Sequence, residues 1–186
     1  MTNVKQVLTV LLSVAMVMGL IGCESKPRLG EFTVTVSLSS DFAQGGSIPP
    51  TEVDLIGLPA AELSTAQNTS VSTYFQPLNP YRQSLVQGKD RVTLVFRDGD
   101  SGPKTVELNR KGKDRDTWQH WYQRGVVDMV VLADLRGPGI SDQPGDADFR
   151  RFTLTLDKAR WKGRGNLNIV VQPARVYSAS QPEPQK

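Results

Sequence analysis

Few side chains in this sequence are able to carry covalent or metal chemistry. The chain has one cysteine, Cys23, and one histidine, His120, so a zinc site built from Cys and His ligands cannot be assembled from it. A Ser-His-Asp triad would have to use His120, yet the sequence has no Gly-x-Ser-x-Gly nucleophile elbow. The spacing of the acidic residues does not suggest a glycosidase pair either. We therefore predict a protein that is not an enzyme and needs no cofactor, with His120 in a structural role.

Acidic loops raise the question of a calcium site. Asp142, Asp146 and Asp148 place three carboxylates in one short loop, and Ca²⁺ prefers six to eight oxygen ligands. The loop does not follow the EF-hand spacing. Asp and Gly are also the ordinary residues of tight turns, because Asp binds its own backbone and Gly accepts positive φ. A calcium loop and a simple turn both remain open interpretations.

An aromatic segment offers a second kind of binding chemistry. Trp118 and Trp121 lie close together beside His120, and Trp161 follows later in the chain. Exposed indole rings can stack on sugars or other flat ligands, whereas buried ones fill a core. Ligand stacking on Trp118 and Trp121 is one interpretation of this segment, and core packing is the other.

The single cysteine stands in a distinctive context. The sequence Leu20-Ile21-Gly22-Cys23 closes an apolar run and resembles the lipobox of bacterial lipoproteins. The resemblance implies that a diacylglycerol is attached to the Cys23 thiol and that the peptide is cut after Gly22. It also implies acylation of the new amine. Residues 1–22 are then a signal peptide, and the partner of Cys23 is membrane lipid.

The residues before Cys23 have the organisation of an export signal. Lys5 provides a positive n-region, residues 7–20 form an apolar h-region, and no acidic residue occurs before Glu24. The apolar run is shorter than the ~20 residues of a membrane-spanning helix. By analogy with lipoprotein sorting, Glu24 rather than Asp after the cysteine favours an outer-membrane anchor with the domain facing the periplasm. Inner-membrane and cell-surface placements remain open.

Length and charge are those of one ordinary domain. Without residues 1–22 the chain keeps 164 of its 186 residues and loses only Lys5 among the charged ones, so its formal net charge falls from +3 to +2. A domain of that size can bury one self-sufficient core without disulfides. A small positive surplus without a concentrated basic stripe gives little support for nucleic acid binding.

The periodicity of the mature chain predicts a mainly β fold. Several short apolar or alternating segments are separated by Gly, Pro and Asp turns, with no long amphipathic helix. The predicted strands are residues 32–38, 51–58, 91–96, 104–108, 126–135, 151–156 and 166–172. This pattern favours an antiparallel two-sheet β-sandwich with short helical insertions near residues 60–67 and 79–86, and a small closed barrel is the alternative.

The same reading divides the chain into segments. Residues 23–30 form a lipidated tether, residues 31–178 form the sandwich, and residues 179–186 form a polar, disordered tail. Residues 91–96 and 104–108 are predicted to form a hairpin, because the turn-forming residues 98–103 separate them. Residues 166–172 are predicted to be the last strand.

The order of these elements carries a further resemblance. A lipobox, a short tether, the alternating strand at residues 32–36, the strand at residues 51–58 and a late apolar strand at residues 126–133 are similar to the small lipoprotein of type VI secretion systems. The resemblance implies a β-sandwich on the periplasmic side of the outer membrane. It also implies binding to the periplasmic part of a large membrane-spanning subunit.

We therefore expect a non-catalytic interaction module of an envelope complex, docking through loops such as residues 39–50 or 137–148. The alternative is an exported β-sandwich that binds a sugar or calcium. The densest basic stretch, residues 109–115, is expected to be a solvated loop, with contact to anionic head groups as its functional alternative.

Overall fold

The computed structural model describes residues 27–45, 47–100, 102–137 and 139–184. The predicted signal peptide and the lipobox residues, including Cys23, lie outside these ranges. Within the described ranges, no helix has the length and apolar character that crossing a membrane requires.

The described part of the chain contains eight strands in two four-stranded sheets. They are β1 (Phe32–Leu38), β2 (Thr51–Leu58), β3 (Arg91–Phe96), β4 (Lys104–Leu108), β5 (Asp128–Ala133), β6 (Arg151–Thr155), β7 (Asn166–Gln172) and β8 (Arg175–Ser178). The first sheet has the order β4-β1-β7-β8 and the second β3-β2-β5-β6. The predicted two-sheet β-sandwich is confirmed, and the closed barrel is wrong because the two sheets are separate.

Three details of the strand prediction are wrong. β3 and β4 do not form a hairpin, because β3 pairs with β2 in one sheet and β4 pairs with β1 in the other. The pairing of β1 with β7 is parallel, although every other pair is antiparallel. β7 is followed by the four-residue strand β8, which pairs Arg175 with Gln172 across a tight turn.

Residues between the sheets form the main core. The alternating apolar residues of β1 point inwards, with Val34 and Val36 fully buried, and Val53 and Leu55 face them from β2. This is the burial that the period-2 pattern predicts. Trp121 packs so closely on β2 that a Cβ atom at Gly57 would lie 2.3 Å from its ring, which explains the glycine within this strand.

Short helices cover the outer face of the second sheet. They are α1 (Ala60–Asn68), α2 (Val71–Tyr74) and α3 (Pro80–Gln87), and α4 (Arg115–Gln123) follows β4. Ile56, Leu58, Val130 and Leu132 form a second apolar cluster with buried residues of α1 to α3. β2 and β5 are therefore covered on both faces, which accounts for the nearly continuous apolar run of β5.

Residues of the predicted tail lie against the sandwich. The Ala179 N–H donates to the carbonyl of Asn168 and the Glu183 N–H to the carbonyl of Arg160, each at 2.8 Å. The Lys162 ammonium also contacts the Glu183 carboxylate. Residues 179 and 180 therefore contact β7, and Glu183 contacts the segment between β6 and β7.

Candidate interaction surfaces

The strand registers define two opposite ends of the sandwich. Phe32 pairs with Leu108 and Thr33 with Asn166, which brings residues 27–31, 109–115 and 157–165 to one end, named here the anchor end. Thr51 pairs with Phe96 and Val53 with Ala133, which brings residues 39–50, 97–103 and 134–150 to the other end. We name it the distal end. A seven-residue strand such as β1 separates the two ends by about 23 Å.

The first described residues are fixed firmly at the anchor end. Leu29 forms an isolated bridge with Asp157, and the Gly30 N–H donates to the carbonyl of Leu156 at 2.9 Å. Leu29 and Gly30 are buried. The chain advances only five residues from Cys23 to Arg28, at most about 18 Å when extended. A lipid on Cys23 would therefore hold this end close to the membrane.

Two adjacent grooves mark the distal end. One has a volume of about 570 Å³ and lies between the Phe42 region, Pro49–Pro50 and Arg136. The second, of about 360 Å³, lies between α2, the Gln76–Pro77 turn and the same arginine. Residues 134–136 line both grooves. The two loops predicted to dock a partner, residues 39–50 and 137–148, therefore belong to one continuous surface.

Two residues that are next in sequence to lining residues of the second distal groove have exposed apolar side chains. Leu78 is 83% exposed and follows Pro77, while Phe149 is 71% exposed and precedes Arg150. Leu78 also has a φ of 63°, a conformation that is costly for a residue other than glycine. Single exposed apolar residues are common on protein surfaces, so it is their place next to lining residues of the groove that makes Leu78 and Phe149 candidates for a docking site. Neither residue stands out in the sequence pattern.

The acidic loop surrounds an arginine. The Arg150 guanidinium donates to both carboxylate oxygens of Asp148, at 2.9 and 2.7 Å, and to Asp142 at 2.6 Å. It also donates to the Ser72 hydroxyl of α2 at 2.9 Å. Asp146 takes no part in these contacts and accepts a long hydrogen bond from Thr153. The arginine thus neutralises two of the three aspartates predicted to bind calcium and ties the loop to the helical insertion.

The described residues do not form a set of ligands that could hold a metal ion. Across residues 27–184, apart from the gaps given above, no group of three or more His, Cys, Asp or Glu side chains is placed to hold a metal ion. Calcium binding at Asp142, Asp146 and Asp148 therefore stays a prediction from the sequence.

The Asp142 carboxylate has a strongly perturbed pKa. Burial by itself raises this pKa, but hydrogen bonds from the Ser72 N–H, the Ser70 hydroxyl and Arg150 outweigh it and lower the pKa to about 2. The same guanidinium lowers the pKa of Asp148, again against the effect of burial. Both carboxylates therefore stay ionised throughout the physiological range and keep the loop closed on Arg150.

The Asp142 shift predicts a pH dependence of stability. The folded pKa is about 2 and the unfolded pKa about 3.8, so the unfolded chain binds more protons between these values and the free energy of unfolding falls as pH drops from about 4 to about 2. We expect Asp142→Asn to flatten this part of the curve, measured by urea unfolding at a series of pH values. Asp116→Asn, an exposed aspartate on α4, is the control. Equal slopes for wild type and Asp142→Asn would contradict the assignment.

A second buried arginine closes the same region. Arg151 donates to the carbonyls of Ala66 at 3.0 Å and Thr69 at 2.7 Å, at the C-terminal end of α1, and to two carbonyls of the acidic loop. Its burial lowers the pKa of the guanidinium. A cation at a helix C-terminus is favourable because the last carbonyls carry partial negative charge. Arg151 thus joins α1 to the distal loop through four carbonyl oxygens.

The aromatic segment lies in α4 near the anchor end. Trp121 has no exposed surface, so it offers no face on which a ligand can stack. Trp118 is buried, donates from its indole N–H to the Gly30 carbonyl at 2.8 Å, and stacks on Tyr122. Trp121 is therefore a core residue, whereas Trp118 also lines a groove at the anchor end, and ligand stacking on Trp118 stays a prediction from the sequence.

His120 belongs to a network of charged residues. Its Nε2 lies 3.1 Å from Asp90, which also contacts Arg124. Arg124 in turn contacts Glu62 of α1. The network links α4 to the helical insertion, and His120 contributes one contact to it.

Comparison with known proteins gives structural likenesses only. No protein-family model and no curated protein matches this sequence. The type VI secretion lipoprotein TssJ1 from Pseudomonas aeruginosa is similar at a TM-score of 0.46 and 14% identity, covering 85% of this chain and 99% of that one.

Two further solved structures are similar to the same extent. Lip from Serratia marcescens, a membrane-bound component of the type VI secretion system, has a TM-score of 0.46 at 13% identity, covering 81% of this chain and 97% of its own. A chain of a type VI membrane complex has a TM-score of 0.49 at 11% identity, covering 82% and 100%. All TM-scores lie below 0.5, so these likenesses by themselves establish neither homology nor function.

Proposed function

We propose that this chain is a lipid-anchored, non-catalytic assembly module of a bacterial envelope complex. The observation that carries the proposal is the difference between the two ends of the sandwich. The residues that lead to Cys23 are fixed at one end, and the grooves beside Leu78 and Phe149 lie at the other. A domain held to a membrane at one end presents its opposite end to partners in the adjoining compartment.

The distal end has the composition expected of a docking site. It combines two grooves with exposed apolar side chains, and Arg136, with 77% of its side chain exposed, stands between the grooves. Arginine and aromatic residues are enriched at protein interfaces and among the residues that supply most of their binding energy. The Arg150 contacts hold the helical insertion and the acidic loop in fixed relative positions, so less order has to be gained on binding.

The finer parts of the proposal rest on the sequence. The lipobox supports acylation of Cys23, and Glu24 supports an outer-membrane anchor with the domain in the periplasm. The order of elements described above supports type VI secretion as the complex, with the periplasmic part of a large membrane-spanning subunit as the partner. Residues 39–50 and 134–150 are the surface that would meet it.

Substitutions at the distal end test the docking role. We expect the double variant Leu78→Ser/Phe149→Ser to lose an envelope partner that wild type retains, because truncating a central apolar contact costs about 2 kcal/mol or more, roughly a 30-fold loss of affinity. The measurement is affinity capture of the tagged chain from detergent-solubilised envelopes of its native host, with quantitative mass spectrometry.

Val86→Ser provides a matched control. Val86 is also an exposed large apolar residue of the helical insertion, but it lies near the C-terminal end of α3, away from both distal grooves. Capture of a reproducible partner by wild type and Val86→Ser but not by the double variant supports the proposal. Equal recovery by all three, or no reproducible partner for wild type, contradicts it.

A further inference from the structure

A basic groove lies at the anchor end, beside the first described residues. It has a volume of about 900 Å³ and lies between residues 28–32, Arg110, residues 157–159 and residues 161–165. We propose that this groove binds the phosphate of an anionic phospholipid in the membrane that holds the anchor. The inference rests on the proposed acylation of Cys23, since it is the anchor that brings the groove to the lipid surface.

Folding concentrates positive charge at this groove. Its lining contains five cations and two carboxylates. The cations are Arg28, Arg110, Lys158, Lys162 and Arg164, and the carboxylates are Glu31 and Asp157. The chain without residues 1–22 has a formal net charge of +2, so outside this groove it carries one negative charge on balance. The sequence shows no basic stripe because these residues are up to 136 positions apart.

The two carboxylates are already engaged with the protein. Glu31 accepts from Arg110 at 3.0 Å, and Asp157 accepts from the backbone N–H groups of Arg28 and Ala159 at 3.1 and 3.2 Å. The side chains of three lining cations are exposed and form no ion pair with any residue in the described part of the chain. They are Arg28, Lys158 and Arg164. An anion in the groove would therefore meet free cations without displacing a partner.

The floor of the groove is aromatic. Phe32 and Trp161 meet edge to face with ring centroids 5.9 Å apart, and both are buried. The indole N–H of Trp161 is taken by the carbonyl of Thr155 at 2.8 Å, so the floor presents no free donor. Phe32 and Trp161 belong to the main core, so this side of the groove is apolar and rigidly packed. Cations above an apolar floor complement a phosphate attached to a glycerol backbone.

The position of the groove favours a lipid over a soluble anion. Arg28, one of its free cations, follows Cys23 by only five residues, at most about 18 Å of chain. A Lys or Arg close to an anionic membrane strengthens binding by a factor of about five. Two such residues strengthen membrane binding by a factor of roughly 25. The lipid anchor already attaches the chain, and this contact fixes the orientation of the domain.

Hydrogen exchange in membranes of defined composition tests the inference. The chain is purified from its native membranes, its acylation is checked by intact mass, and it is placed in nanodiscs of phosphatidylglycerol or phosphatidylcholine. We expect slower exchange of the amides of residues 158–165 in phosphatidylglycerol. The double variant Lys158→Glu/Arg164→Glu should weaken the contact roughly 25-fold or more and abolish the difference. The control Arg97→Glu reverses an exposed charge at the distal end and should leave it unchanged.

Several outcomes would overturn the proposal. Equal exchange in the two lipids excludes head-group binding. Equal protection by inorganic phosphate in phosphatidylcholine discs assigns the groove to a soluble anion, and protection only by a short single-stranded DNA assigns it to nucleic acid. If the intact mass shows no acyl chain, the proposed anchoring fails. Flotation of that unacylated chain with phosphatidylglycerol vesicles, compared with phosphatidylcholine vesicles, still decides whether the groove binds the lipid.

Discussion

Replacing Asp54 by alanine is expected to lower the free energy of unfolding by about 3–5 kcal/mol, because it removes one partner of a buried ion-pair cluster. Asp54 has no exposed surface in β2. Its carboxylate accepts from Arg82 at 2.9 Å and Arg91 at 3.2 Å, and from the hydroxyls of Tyr74 at 2.7 Å and Thr93 at 2.6 Å. The variant leaves two largely buried guanidinium groups without this carboxylate. Urea unfolding followed by circular dichroism measures the change.

An exposed aspartate provides the control for this variant. Asp116 pairs with Arg115 on the surface of α4, and loss of such a pair costs at most about 1 kcal/mol. Asp116→Ala should therefore leave the unfolding midpoint nearly unchanged. If Asp54→Ala were no more destabilising than Asp116→Ala, the cluster around Asp54 would not stabilise the fold as proposed.

The same cluster has consequences for the distal end. Tyr74 and Arg82 belong to α2 and α3, and the turn between these helices carries Pro77 and Leu78. Asp54 thus fixes, from within the second sheet, the segment that borders the second distal groove. Loss of the Asp54 carboxylate is expected to weaken partner capture as well as stability, although Asp54 itself is fully buried.

Strand positions were predictable from the sequence, but strand partners were not. The alternation of β1 and the apolar run of β5 come from burial on one or two faces, and each face leaves a local pattern. The loop between β3 and β4 has the Gly, Pro and Asp residues of a hairpin, yet the two strands belong to different sheets. A hairpin turn and a loop that connects two sheets have the same amino-acid composition. Only the packing of the whole chain decides between them.

The distal surface illustrates a second limit of local pattern. Asp142 and Asp148 were visible as a cluster of acids, but Arg150, the cation that neutralises them, stands just before a predicted strand and has no distinguishing pattern in the sequence. Its other partner, Ser72, is 78 positions away. Leu78 is likewise one apolar residue in a polar turn, and its exposure depends on how α2 and α3 pack on the sheet. Sites assembled from distant segments leave no motif.

The anchor itself leads to the prediction with the clearest physical outcome. Cys23→Ser removes the thiol that the lipobox resemblance identifies as the attachment point, so we expect a complete loss of the diacylglycerol mass and retention of the leader peptide. Two acyl chains are needed for stable membrane attachment, because each buried CH₂ contributes only about 0.8 kcal/mol. Intact mass spectrometry and membrane fractionation in the native host measure both effects.

Ser25→Ala is the matched control, since it changes a neighbouring hydroxyl without touching the lipobox. It should keep the mass of two or three acyl chains and the wild-type fractionation. In Cys23→Ser the distal end is unchanged, because the variant alters nothing within the sandwich. A purified Cys23→Ser chain should therefore still capture its partner in detergent while failing to reach it in the cell. Unmodified Cys23 in wild type would instead remove the reason for an anchor end, and with it the orientation on which both surface proposals depend.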